Sequence, residues 1–221
     1  MNQKIKIAPS LLAADFSHLG LELTNICKAQ ADYIHFDIMD GHFVPNLTFG
    51  PGIVKNLRKY TKKIFDVHLM IKPVDKFVKP FAEAGADIIT FHPENVKNVD
   101  KTIKLIKSFK KKVGLSINPN ISEKTVYPFL KKINLILVMS VYPGFGGQKF
   151  IKGQIKKINK IREKIEKDNL KVDLEVDGGI NTKNAKDIIN AGANILVAGA
   201  ACFNKGKKYY KKNINALRNP K

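Results

Sequence analysis

Residues 33–46, YIHFDIMDGHFVPN, begin as a strand buried on both faces and then carry polar groups where such a strand normally has none. Side chains two apart on a strand point to the same side, so His35 and Asp37 face one way while Ile34, Phe36 and Ile38 face the other. An imidazole and a carboxylate therefore enter together whatever space that face covers. Working outward, seven more strand-like runs surround this one: KIAPSLL before it, then IFDVHLM, DIITFHP, VGLSINP, LILVMSV, LEVDGG and NILVAGA. Amphipathic segments separate them, among them SHLGLELTNICKAQ, VDKFVKPFAEAG and TKNAKDIINAG, with apolar residues at three- and four-residue spacing. Gly85 and Gly192 stand where a helix C-terminus calls for glycine.

Eight β-then-α units predict an α/β chain folded as a single (β/α)₈ TIM barrel, one domain over residues 1–221. A doubly wound sheet is the rival, since strand count alone does not prove closure. The polar residues favour the barrel: Ser10, Asp37, His68, His92, Asn118, Ser140 and Asp177 each stand near the C-terminal end of a strand. In a barrel those ends surround one mouth, where active sites are built.

Composition narrows the function. With 44% hydrophobic residues the 221-residue chain has enough for a core, and no tract reads as a linker. The longest apolar stretch, INLILVMSVYPGF, is too short for a membrane span and ends in Pro143 and Gly144. Lysines interrupt the N-terminal MNQKIKIAPSLLAADF where a signal peptide needs an unbroken apolar core, so a cytoplasmic protein is expected, with no membrane partner. Cys27 and Cys202 lack CxxC spacing and are expected as reduced thiols. The net charge of +20 invites a nucleic-acid reading, but the lysines are scattered through apparent helices such as KTIKLIKSFKKKVG, with almost no arginine and no interleaved aromatics. Bases and phosphates are read largely by Arg forks and aromatic stacking, so no nucleic-acid partner is expected, and the Lys, Asn and Ile content fits an AT-rich coding bias.

His35, Asp37, His68 and Asp177 each interrupt an apolar strand close to its end. Singly, a strand histidine reads as a satisfied core residue and a strand-end Asp as a helix cap. Four at equivalent depth in one barrel read differently, because each buried polar group without a partner costs ~1–3 kcal/mol. One shared divalent cation satisfies all four. Two imidazoles and two carboxylates suit Zn²⁺, Fe²⁺, Mn²⁺ or Co²⁺ over Mg²⁺ or Ca²⁺, which prefer all-oxygen shells; ligand type does not choose among the four, and Zn²⁺ is taken first. Met39, Met70 and Met139, at or just past strand ends, either pack softly around the mouth or line the cavity with sulfur that does not compete for protons. VYPGFGGQKF (residues 141–150), VDGGI and VAGAACF follow the sixth, seventh and eighth strands, and glycines there let backbone N–H groups approach a phosphate. The first of these loops, with Tyr142 and Phe145 among its glycines, is expected to act as a lid.

APSLLAADF, HFDIMDGHFVPNLTFGP, DVHLM, PGFGGQKF and VDGGI, in this order, resemble ribulose-phosphate 3-epimerase over essentially the full length. The resemblance implies a metal-dependent (β/α)₈ enzyme of the pentose phosphate pathway that interconverts D-ribulose 5-phosphate and D-xylulose 5-phosphate. It implies His35, Asp37, His68 and Asp177 as metal ligands, with Asp37 and Asp177 also the acid/base pair that moves the C3 proton through an enediolate. Ser10, His68, Gly144, Phe145, Gly146, Gly147, Asp177, Gly178, Gly179, Gly199 and Ala200 match substrate contacts, and a homo-oligomer, a dimer first, is implied as well. Three departures touch fine specificity: Ala200 where many members have Ser, Tyr142 where Glu or Asn is frequent, and SINPN after the fifth strand. An epimerase for a related ketose phosphate such as D-allulose 6-phosphate is the nearest alternative. A sugar-phosphate lyase or decarboxylase would want a lysine at a strand end, and no strand presents one.

Overall fold

The computed structural model describes residues 4–220; the first three residues of the N-terminal segment read above, and Lys221, lie outside the described residues. Eight parallel strands form one sheet: β1 (Lys6–Pro9), β2 (Tyr33–Met39), β3 (Ile64–Met70), β4 (Ile88–Phe91), β5 (Lys112–Ile117), β6 (Leu135–Met139), β7 (Asp173–Asp177) and β8 (Ile195–Ala198). They run in the order β1-β8-β7-β6-β5-β4-β3-β2. The β1/β2 seam is closed by a single parallel bridge, Ser10 to His35, above a backbone bond from Asp32 to Ile7. On its other side β1 pairs with β8 along all four of its residues, Lys6 to Pro9. The barrel is nearly closed, as the polar strand ends predict.

Strand β2 answers the question its sequence raises. All seven residues are buried, with Ile34, Phe36 and Ile38 in the large core between sheet and helices. Tyr33 joins Ala8, Ile88, Leu135, Leu137, Ile195 and Val197 in the cluster that fills the barrel interior. His35 and Asp37 lie on that inward face, above the apolar filling.

Helices α1 (Leu19–Lys28), α2 (Pro51–Arg58), α3 (Asp75–Ala84), α4 (Val99–Ser108), α5 (Gln154–Lys167), α6 (Ala185–Asn190), α7 (Ala200–Phe203) and α8 (Tyr210–Arg218) cover the sheet. Gly85 and Gly192 terminate α3 and the turn after α6 with φ of 105° and 110°, as expected. The fifth unit departs from the regular pattern: between β5 and β6 the chain makes only 3₁₀ turns, Glu123–Thr125 and Tyr127–Lys132. Pro128 stands in the first turn of the second, where proline is tolerated, and only four residues separate it from Ile133, where the backbone is already extended.

A repeated device pins the N-terminal rim. Asp32, Asp87, Asn134 and Asn194 each stand immediately before an even-numbered strand, and each accepts the first free N–H of the preceding odd strand, at Ile7 (2.9 Å), Phe65 (2.8 Å), Val113 (3.0 Å) and Leu174 (2.7 Å). Buried backbone donors need such partners. All three arginines of the chain serve this ring: Arg218 binds Asp32 at 2.7 Å, Arg58 binds Asp87 at 2.9 Å, and Arg162 binds Asn194 at 3.1 Å. Arg58 also donates to the carbonyls of Thr61 and Lys63 at 2.6 Å each, and Arg162 to that of Gly192 at 2.8 Å. Only a planar fork reaches several acceptors at once. Arg162→Lys is therefore expected to lower the unfolding free energy by about 1–3 kcal/mol in urea denaturation, whereas Lys156→Arg on the exposed face of α5 leaves it within about 0.5 kcal/mol; equal stabilities would remove the arginines from this role.

Candidate active site

Strands β2, β3 and β7 bring their polar pairs to one place by alternation. In the β2/β3 register His35 lies beside Asp66, Asp37 beside His68, and Met39 beside Met70, while Met139 lies beside Asp177 in the β6/β7 register. One ligand atom each from His35, Asp37, His68 and Asp177 lie within 4.8 Å of one another. His35 Nε2 faces Asp37 Oδ1 at 3.5 Å and Asp177 Oδ2 at 4.0 Å, and His68 Nδ1 faces Asp37 Oδ1 at 3.5 Å. Both histidines are wholly buried, and neither of these nitrogens has a hydrogen-bond partner in the protein. Two orphaned imidazole nitrogens converging on two carboxylates at such separations fit a divalent cation of the borderline class.

The surrounding groups orient the cluster. His35 Nδ1 and Asp66 Oδ2 share a hydrogen bond of 2.6 Å, which leaves Nε2 to face the ligand cluster. Ser10 Oγ donates to Asp37 Oδ2 at 2.5 Å, so Oδ1 is the oxygen turned toward both histidines. Ser140 holds the carbonyl of Asp177 through its N–H at 2.7 Å and its hydroxyl at 2.8 Å. Below lies Glu175, wholly buried beside Asp66 and His35, with both carboxylate oxygens unpartnered.

Burial and neighbouring charge drive the two aspartates apart. Burial pushes Asp37 upward, but the charge of His35 and the close approach of the His35 and His68 rings outweigh it and hold the carboxyl well below its usual range. Burial, with the charge of Asp37, pushes Asp177 up to about 7. For His35 burial is outweighed by the charges of Asp66 and Asp37, which keep its pKa well above the ordinary histidine value. Burial lowers His68 to about 4 despite its contact with Asp37. Glu175 is raised well above the ordinary value by burial and by Asp66.

A cavity of about 610 Å³ opens above the cluster, lined by Ser10, Asp37, Asp177 and the three methionines Met39, Met70 and Met139. Its other walls are Gly144, Phe145, Gly146, Gly147, Gly178, Gly179, Gly199 and Ala200, so every substrate contact named from the sequence lines it except His68, which lies buried beneath. Glycine is required at Gly178 and Gly179: both have positive φ, and a Cβ would stand 2.5 Å from Val141 Cγ2 and 2.3 Å from Phe150 N. The loop after β6 is tied down by side-chain amides, Asn46 to the carbonyl of Gly144 at 2.6 Å and Gln148 to those of Tyr142 and Phe145 at 2.7 and 2.9 Å. Among the described residues no lysine or arginine lines the cavity. Asp66 and Glu175 went unnoticed in the sequence, although each stands two residues before a named ligand and so shares its face.

The sequence model of the ribulose-phosphate 3 epimerase family matches residues 6–203. The chain belongs to this family. It is 48% identical over 214 residues to the ribulose-phosphate 3-epimerase of Escherichia coli strain K12, covering 96% of this chain and 94% of that one. It is 46% identical over 221 residues to the Bacillus subtilis strain 168 enzyme of the same name, covering 98% and 100%. A solved structure of 3-hexulose-6-phosphate synthase superposes with a TM-score of 0.65 at 19% identity over 97% of this chain and 98% of that one, a likeness of fold alone. Among the described residues no helix is long and apolar enough to cross a membrane.

The raised Asp177 carboxyl makes metal-free stability depend on pH. Its folded pKa of about 7 lies above the ordinary 3.8, so its proton stabilises the fold fully below that lower value, and the stabilisation is lost as pH rises through 7. Asp177→Asn is expected to stabilise the metal-free protein near pH 8 by on the order of 2 kcal/mol and to flatten the loss across that window. Urea denaturation of chelator-treated proteins at about pH 5 and 8 measures it; a destabilised Asp177→Asn near pH 8 would contradict the assignment of buried charge.

Proposed function

We propose that this protein is a ribulose-phosphate 3-epimerase that interconverts D-ribulose 5-phosphate and D-xylulose 5-phosphate, with one divalent metal ion, Zn²⁺ first, held by His35, Asp37, His68 and Asp177. The observation that carries the reading is the convergence of Asp37 and Asp177, from strands three apart around the ring, on His35 Nε2 at the floor of the cavity. Epimerisation at C3 removes a proton beside the C2 carbonyl and returns one to the opposite face. Two carboxyl groups from separate strands can stand on the two sides of a sugar chain between them, one ionised as base and the other protonated as acid. In the reverse direction they exchange roles.

His35, Asp37, His68 and Asp177 would hold a divalent cation here, and bound there it would supply an electrophile that stabilises negative charge developing on the substrate. The chain's own groups do the rest. Ser10 holds Asp37 Oδ2 and so sets the direction of that carboxylate. Met39, Met70 and Met139 offer the reacting carbons apolar surface that neither takes nor gives a proton. With no basic side chain on the cavity wall, the phosphate is held by backbone N–H groups of the loops at Gly178–Gly179 and Gly199–Ala200, so the Ala200 departure leaves the main-chain donors in place. The loop from Gly144 to Gly147 roofs the sugar as the lid. The absence of a wall lysine also disfavours Schiff-base chemistry on this barrel. A place in the pentose phosphate pathway, a homo-oligomer with a dimer first, a cytoplasmic location and a single domain over residues 1–221 complete the proposal, all resting on the family resemblance and the sequence.

NMR of Zn²⁺-loaded protein with D-ribulose 5-phosphate in deuterated water tests it. The expected product is D-xylulose 5-phosphate with deuterium at C3, and Asp37→Asn and Asp177→Asn each lose about 10³-fold or more of the rate. Turnover of D-allulose 6-phosphate alone would move the substrate while keeping the chemistry; unlabelled product would refute proton exchange at C3.

A further inference from the structure

His92 was singled out by its strand-end position, yet it is no member of the metal cluster. It is wholly buried, and its Nε2 stands 2.8 Å from Nε2 of His68. Its other nitrogen, Nδ1, faces Glu94 Oε1 at 3.4 Å, and Asn118 Nδ2 donates to that same oxygen at 2.8 Å. Lys157 in turn grips the carbonyls of Asn118 and Pro119 at 2.9 and 2.8 Å, and the Phe43 ring covers His92 at 4.8 Å between centroids.

Two neutral imidazoles that meet nitrogen to nitrogen share one proton, and its owner decides the rest of both rings. If His92 donates, its Nδ1 presents a lone pair to the Glu94 carboxylate, acceptor against acceptor. If His68 donates, His92 carries its own single proton on Nδ1, pointing at Glu94, and His68 Nδ1 is left bare toward Asp37, an arrangement that a cation between the two makes favourable. We propose that His92 and Glu94 are positioning residues which impose the second arrangement, so that His68 offers Nδ1 to the metal while His35, paired with Asp66 through Nδ1, offers Nε2. The proposal rests on the metal reading of the cluster. Glu94 sets the polarity, Asn118 holds Glu94 in place, and His92 passes the polarity to the ligand.

Two measurements decide it. Long-range proton–nitrogen NMR of the metal-free wild type is expected to show the proton on His92 Nδ1 and on His68 Nε2, and Glu94→Leu is expected to lose that preference. A proton on His92 Nε2 in the wild type would overturn the proposal. Zn²⁺ affinity, by competition with a chromophoric chelator, is expected to fall about 10–100-fold in His92→Phe, while His92→Gln, whose Oε1 can accept where Nε2 did, stays within about threefold. Equal Zn²⁺ affinity in wild type and His92→Phe would also overturn it. A wild type that binds no Zn²⁺ would instead refute the metal reading, and the NMR result on the metal-free protein would still settle which nitrogen of His92 bears its proton.

Discussion

A fully buried imidazole can offer a lone pair from one nitrogen only if the other has a place for its proton. The active end of this barrel is organised around that constraint, met twice in different ways. His35 gives its Nδ1 proton to a carboxylate one strand away, Asp66, in a bond of 2.6 Å. His68 meets a second histidine instead, and that histidine leads on to Glu94 at the rim. The two rings thus reach the same pair of aspartates with opposite nitrogens, and Asp37 Oδ1 stands 3.5 Å from each.

Such a layer is costly to bury. Asp66 Oδ1 and both oxygens of Glu175 have no partner, and polar groups taken out of water are tolerated only when neighbours compensate, which for Glu175 includes keeping its proton. The compensation is structural. Beneath the polar layer the interior is closed by Tyr33, Ile88, Leu135, Leu137 and Ile195, and outside the sheet a continuous apolar core reaches every helix but α7's exposed end. At the opposite rim the Asp/Asn and Arg ring ties strand starts together. Chemistry at one end and stability at the other is the division of labour that lets a barrel carry strained and charged groups.

How legible all this was depends on the period of the signal. Alternation in β2 placed His35 and Asp37 inside, and the same rule put His68 and Asp177 at strand ends. Applied one step further it would have found Asp66 and Glu175, which share the inward face of their strands with the residues that were named. Glu94 follows β4 in a 3₁₀ turn, Pro93–Asn95, where no period constrains it, so its contact with His92 needed coordinates. The 3₁₀ turns of the fifth unit, Glu123–Thr125 and Tyr127–Lys132, are too short to show a helical period, and the rhythm of eight units covered the difference. The three arginines gave no signal as a set, because Arg58, Arg162 and Arg218 come together only through the closed ring.

The distribution of basic residues gives the charge a physical meaning. Among the described residues no lysine or arginine lines the cavity that would receive an anionic sugar phosphate. An ammonium close to the reacting carbons would compete as a proton donor, whereas backbone N–H groups at glycine loops hold a phosphate without titrating. Most lysines lie on the outer surface, Lys157 against the carbonyls of Asn118 and Pro119 being a buried exception, and a long-range field that draws anions toward the mouth is their one general effect. Guanidinium appears only at the rim positions where several carbonyls and a carboxamide or carboxylate must be bound in one plane. The net charge of +20 thus constrains neither the fold nor the make-up of the cavity wall.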